Sequence, residues 1–233
     1  MLNDFIGVVV GLKSEEDAVR RALAMLPASD AQRVRIAVSG ADAKRAEDHA
    51  RAFAAAGARG LVSAGISGGL APGLEPGALL VAKSVRDEAG EYPAHAAFLD
   101  AIDVEVGDAT LATLLGVDAV VTSSAQKAEL AQRFSAEAVD MESHAVARVA
   151  AEAGLAFIAI RAIADPAERA LPPSTEGAIA PDGAVRAFSV MKKLAFRPGD
   201  LPALMALGRD QEKALAALRD GLGHFLPRFF RVV

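Results

Sequence analysis

The 233-residue chain predicts an α/β fold around a central sheet, parallel for the most part or mixed. Three observations predict it. Short apolar runs alternate with stretches of helical periodicity, the runs are bounded by Gly, Pro or Asp, and no linker rich in Pro, Gly or Ser divides the chain. One domain over residues 1–233 is therefore expected, and a chain that is 52% hydrophobic can bury a sizeable core as one unit.

Phe5 to Leu12 reads as a buried first strand, and Ser14 with Asp17 offers a variant capping box to a helix ending near Met25. Val34 to Ser39 is the next strand, which Gly40-Ala41-Asp42 turns into an Ala-rich helix stopping at Gly57. Leu61 to Ala64 and Ala78 to Val85 read as strands flanking a Gly/Pro-rich connection short enough to permit an antiparallel stretch. Asp118 to Thr122 is read as a further strand leading to a helix from Ser124 to Phe134. A helix opened by Glu142 ends near Gly154, and Ala156 to Ile163 (AFIAIRAI) is a buried strand interrupted only by Arg161. From Ala184 onward the chain is mostly helical, with one or two amphipathic segments between Leu201 and Leu226.

Composition excludes several function classes. A formal charge of −5 argues against a nucleic-acid partner, which would call for clustered Lys and Arg. There is no cysteine, and His49, His95, His144 and His224 lack metal-ligand spacing, so no metal and no cofactor are expected. The opening MLNDFIGVVVGL carries Asp4 and no cation before its apolar centre, so it reads as a strand rather than a signal peptide, and a cytoplasmic protein is expected.

The informative pattern is a lone acid at the end of an apolar run, which occurs twice. Val139-Asp140-Met141-Glu142-Ser143 places Glu142 in a first helical turn, where the helix dipole favours a carboxylate and a ligand hydroxyl can reach it. Asp165 follows the strand 156–163 at its carboxyl end, where open α/β sheets build ligand sites. Either acid alone also reads as a cap. Arg161, costly inside a strand without a partner, is expected to pair with Asp165 or Glu142.

VDMESHAVARVAAEAGL followed by RAIADPA resembles the nucleoside phosphorylase and nucleosidase superfamily, and Ser63-Ala64-Gly65-Ile66-Ser67-Gly68-Gly69 is similar to the glycine-rich turn these enzymes place beneath the sugar. Within residues 138–218, ADPAERALPP, Pro181-Asp182-Gly183 and RPGDLPAL are similar to the hopanoid-associated branch, the adenosylhopane nucleosidases. The resemblance implies a three-layer α/β/α nucleoside phosphorylase-like fold and cleavage of an N-glycosidic bond, with adenine released from a 5′-modified adenosine. The alternatives are a methylthioadenosine or adenosylhomocysteine nucleosidase, a purine nucleoside phosphorylase, and a silent purine-nucleoside binding module.

Within that reading Asp165 is the general acid toward the purine, Met141 and Glu142 hold the ribose, and Gly65, Ile66 and Ser67 approach the ligand. An early Glu orients water. Glu15 and Glu16 compete for the role, and the spacing from Gly11 favours Glu16. Ser63 stands where related hexameric phosphorylases carry a phosphate-binding Arg, which favours water over phosphate, and Gln126 stands in the region that supplies a stacking aromatic in methylthioadenosine nucleosidases. His144, two residues past Glu142, faces elsewhere on a helix and is read as structural. Residues 166–183 form a candidate lid. Phe225, Phe229 and Phe230 with Arg228 and Arg231 read as a packed tail or, given a lipid-linked nucleoside, as a contact peripheral to the inner membrane. A homo-oligomer is expected.

Overall fold

The computed structural model describes residues 5–102, 109–175 and 177–233, so Met1 to Asp4 of the opening segment lie outside the described residues. In chain order the elements begin with β1 (Ile6–Val10), α1 (Lys13–Leu23), α2 (Ala28–Ala31), β2 (Val34–Val38), α3 (Ala43–Ala55) and β3 (Gly60–Gly69). The middle of the chain gives β4 (Leu79–Arg86), β5 (Glu91–Pro93), α4 (Ala96–Ala101), β6 (Ala109–Gly116), α5 (Ser124–Phe134), β7 (Ala138–Asp140) and α6 (Ser143–Ala153). The last elements are β8 (Ala156–Asp165), α7 (Ala187–Phe196) and α8 (Leu201–Val232).

All eight strands of the described residues join one mixed sheet. β2, β1, β3 and β8 lie parallel in that order, and β4 then runs antiparallel to β8, inserting the reversal that the short connection after β3 allowed. β6 pairs parallel with β4, β7 pairs parallel with β6, and β7 returns to β3 through Gly68 and Gly69. Strands β3, β8, β4, β6 and β7 thus close a ring, with β1 and β2 extending from one side. Helices α1 and α8 cover one face over Val8, Val62, Ile158 and Ile160, while α3 and α6 cover the other over Val9, Leu61, Ala159 and Ile163.

Two expectations are corrected, and one of two readings of the tail is seen. Residues 118–122 are not a strand: β6 lies earlier and stops at Gly116, packed so tightly on α6 that an added Cβ would stand 2.2 Å from His144 Nδ1, and the last bond of the ladder is from the Val117 amide to the Asp140 carbonyl. The glycine-rich segment is not a turn but the second half of β3, irregular at Ser67/Gly68, and it reaches the ring's closure. Of the two readings of the C-terminal aromatics, the structure shows the packed tail: Phe225, Phe229 and Phe230 are buried, with Phe98 meeting Phe225 and Phe229 edge-on at 6.4 and 5.6 Å. Arg228 and Arg231 donate to the carbonyls of His224 and Pro227 in their own helix.

Candidate active site

The carboxyl ends of β1, β3, β7 and β8 converge on a cleft with a cavity of about 320 Å³. Glu15 enters it from the first turn of α1. Its buried stripe of Glu15, Ala18, Val19, Ala22 and Leu23 follows the helical period, so the packing that seats α1 also drives Glu15 inward. One carboxylate oxygen accepts from the backbone amides of Gly11 at 2.7 Å and Leu12 at 2.8 Å, the other from Ile66 at 2.8 Å. A Cβ at Gly65 would fall 2.8 Å from Glu15 Oε1, so glycine there is what admits the acid. Burial pushes Glu15 above its ordinary range, against the three amides and the Arg161 guanidinium. Glu16 is outside the cleft: its carboxylate accepts from Arg20 at 2.6 Å on the solvent side of α1. The early acid of the cleft is therefore Glu15, one residue before the position expected.

Glu142 stands at the N-cap of α6 but makes no cap hydrogen bond with its side chain. Asp140 takes that role, its Oδ1 accepting from the amides of Glu142 at 2.8 Å and Ser143 at 2.7 Å, which leaves the Glu142 carboxyl directed at the cleft. It approaches Gly11 so closely that a Cβ there would lie 2.5 Å from its Oε1. Burial first, then the nearby Glu15 and Asp140 charges, pushes Glu142 up to about 8. Met141, half-buried, lines the cleft beside it.

Arg161 pairs with neither acid expected. Its Nε lies 3.1 Å from Asp140 Oδ2, off the line of a good hydrogen bond, and its Nη2 donates to Ser63 Oγ at 2.7 Å. Burial pushes Asp140 up, but Arg161 and the amides of Ser143 and Glu142 outweigh it and hold Asp140 below its ordinary range.

Asp165 ends β8 in the cleft, and its partner is Lys127 of α5, a fully buried lysine that also donates to the carbonyls of Pro166 at 2.8 Å and Arg169 at 3.1 Å. Burial pushes Asp165 up, against the pull of Lys127 and Arg169. Arg169 in turn pairs with Asp210 of α8, tying the 166–183 segment to that helix.

The remaining wall is apolar. Val117 and Ala119 to Val121 line it in place of pairing in the sheet, and Leu171, Ile179, Val185, Val190, Leu204 and Leu207 close the side formed by the 166–183 segment, α7 and α8. A second cavity of about 650 Å³ shares Ala41, Val120, Met141 and Leu171 with it, so the cleft continues past Met141. Ile66 and Ser67 line the cleft, and Ser67 Oγ is buried without a partner among the described residues, a hydroxyl available to a ligand. Gly65 sits behind them against Glu15, Gln126 is exposed on α5, and His144 lies off the cleft with Nε2 3.4 Å from Asp118. Among the described residues no group of three or more His, Asp or Glu is placed to hold a metal ion, and no Lys or Arg lines the cleft.

The phosphorylase superfamily profile matches residues 23–195. The chain belongs to the phosphorylase superfamily, a family of enzymes. Its fold is similar to that of the 5′-methylthioadenosine/S-adenosylhomocysteine nucleosidase of Helicobacter pylori, at 16% identity over 97% of this chain and 99% of that one, with a TM-score of 0.73. Futalosine hydrolase of the same organism gives 16% identity, 99% and 98% coverage and a TM-score of 0.71. A methylthioadenosine/adenosylhomocysteine nucleosidase of Neisseria meningitidis gives 16%, 95% and 98%, and 0.71. Comparison with curated protein sequences gives no match.

Proposed function

We propose that the enzyme hydrolyses the N-glycosidic bond of a 5′-modified adenosine and releases adenine. The observation that carries the reading is a cleft lined by Glu15, Glu142 and Asp165 with no cation in its lining among the described residues. Such a lining offers a phosphate dianion no cation to pair with, while it suits a reaction whose sugar becomes oxocarbenium-like. Ser63, standing where a phosphate-binding Arg is found in related phosphorylases, is engaged by Arg161.

Glu15, fixed by three backbone amides, is the base that takes a proton from the attacking water. Glu142 accepts the ribose hydroxyls, whose hydrogen bonds favour its ionised form and lower the pKa that burial raised, and Met141 packs against the sugar. Asp165, raised by burial, delivers its proton to the departing purine and is left as a carboxylate, which the hydrogen bond from Lys127 stabilises. The adenine is held by the backbone of residues 117–121, the apolar stretch left outside the sheet.

The 5′ substituent lies toward Leu171, Val185, Val190, Leu204 and Leu207, a wall that suits a large apolar group. Together with the resemblance of residues 138–218 to the hopanoid-associated branch, this favours adenosylhopane. Methylthioadenosine or adenosylhomocysteine is the second reading, supported by the nucleosidases among the similar structures. Free adenine followed from adenosine, methylthioadenosine and adenosylhopane, with and without phosphate, tests both. Release from the lipid nucleoside in excess of the others and indifferent to phosphate is the expected result; phosphate dependence would reassign the chain to phosphorolysis, and release from none would leave a binding module.

A further inference from the structure

Helix α7 has ten residues and no buried side chain. Six of the nine exposed large apolar side chains among the described residues fall within residues 185–205: Val185, Phe188, Met191, Phe196, Leu201 and Met205. Phe188 and Phe196 are 82% and 81% exposed, values that an isolated domain in water has no packing reason to keep. Phe188, Met191, Lys192 and Ala195 recur at i, i+3, i+4 and i+7 and form one outward stripe. Val190, on the opposite side, lines the cleft. The helix therefore turns its largest apolar groups to solvent, the reverse of an ordinary surface helix.

Its charge is equally one-sided. Residues 185–205 contain Arg186, Lys192, Lys193 and Arg197 against one acid, the half-buried Asp200, within a chain of net charge −5. Arg186, Lys192 and Arg197 are exposed beside the aromatic groups. A second copy docked across a two-fold axis would bring these cations against their own equivalents. Exposed Phe and Met ringed by cations match an anionic lipid surface instead, where the rings enter the acyl boundary and the cations stay among the headgroups.

We infer that α7 and the start of α8 dock on an anionic phospholipid bilayer, with the mouth of the cleft, at Val185 and Leu204, turned toward it. The inference stands on this face alone and does not require the substrate assignment above; it places lipid contact on α7 instead of on the buried C-terminal aromatics.

The test is flotation of the purified protein with vesicles of phosphatidylcholine alone, or of phosphatidylcholine and phosphatidylglycerol in equal parts. Binding to the mixed vesicles should exceed that to neutral ones by about tenfold or more at low salt and fall as salt screens the cations. Phe188→Ser with Phe196→Ser should lower it about tenfold, and Lys192→Glu with Arg197→Glu should abolish the preference for the anionic vesicles, while hydrolysis of a water-soluble nucleoside and the melting temperature stay unchanged. Absence of binding by the parent protein, or equal binding by the variants, would overturn the proposal. So would a dimer in sedimentation velocity that the Phe188/Phe196 variant converts to monomer, because a second copy would then cover the face.

Discussion

Replacing Glu142 with Gln removes one titration from the folded protein while keeping the shape of the side chain. Burial, with Glu15 and Asp140 adding to it, holds this carboxyl at about 8 against an ordinary 4.5. The folded protein keeps a proton that the unfolded chain releases near 4.5, so this group's contribution to stability is complete below that pH, is lost as the pH climbs to about 8, and is level beyond. One proton is worth about 1.4 kcal/mol per pH unit, which makes the whole window worth about 5 kcal/mol at most. Titration shared with Glu15 and water reaching the cleft reduce this to about 2–3 kcal/mol. In a chain of this size 1 kcal/mol moves the melting temperature by about 2–4 °C, so the parent should lose about 5–10 °C relative to Glu142→Gln between about pH 5 and pH 8.5. Calorimetric melts of both proteins across that range provide the measurement, and effects common to the two cancel in the difference. Melting curves that run parallel would refute a raised, buried Glu142.

Other expectations follow from the same geometry. Asp165→Asn should lower adenine release by about 10²–10⁴-fold with nucleoside binding retained, and more than about a tenth of parental turnover would remove Asp165 as the acid. Glu15→Gln should cost at least about 10²-fold, whereas Glu16→Gln, which breaks only the contact with Arg20, should stay within about twofold; the reverse order would return the early acid to Glu16. Lys127→Met should push Asp165 higher still and carry the basic limb of kcat/KM to higher pH, a shift that a purely structural lysine would not produce. Deleting residues 225–233 takes three buried Phe from the core, each worth about 3–5 kcal/mol, so the protein should fail to fold; a folded truncation would contradict the packing of α8.

Asp165 and Glu142 were legible because each interrupts an apolar run, a pattern local to a few residues. The choice between Glu15 and Glu16 was also written in the sequence, in helical phase: Glu15 shares the stripe of Ala18, Val19 and Ala22, and Glu16 shares the side of Arg20. Lys127 left a similar trace, since it stands at i, i+3, i+4 and i+7 with Leu130, Ala131 and Phe134, but its partner 38 residues later depends on how α5 meets β8. Arg161's pairing with Asp140 had no local signal, because β7 is three residues long and its place between β6 and β3 is set by ring closure. The tail left two readings open for a different reason. Phe225, Leu226 and Phe229 continue the stripe of Leu218 and Leu222 along α8, and a core helix and an interfacial helix share that periodicity.

The ring of strands divides the molecule's capacity for change. Glu15 is anchored through β1 and β3, Glu142 by β7 and Asp165 by β8, and three of these strands belong to a closed circuit without a free edge between them. The entrance is built from another stock: the segment after β8, α7 and the first turns of α8, attached at one side by Arg169 and Asp210. Beyond Pro166 to Arg169, whose carbonyls hold the lysine beside Asp165, substitutions there can reshape what enters without moving the acids, and substitutions in the circuit alter the chemistry without widening the door. Diversification of substrates in such a protein should therefore accumulate in residues 170–208, and a chimera exchanging that stretch would be expected to inherit the donor's preference for the 5′ group while keeping its own bond-breaking machinery.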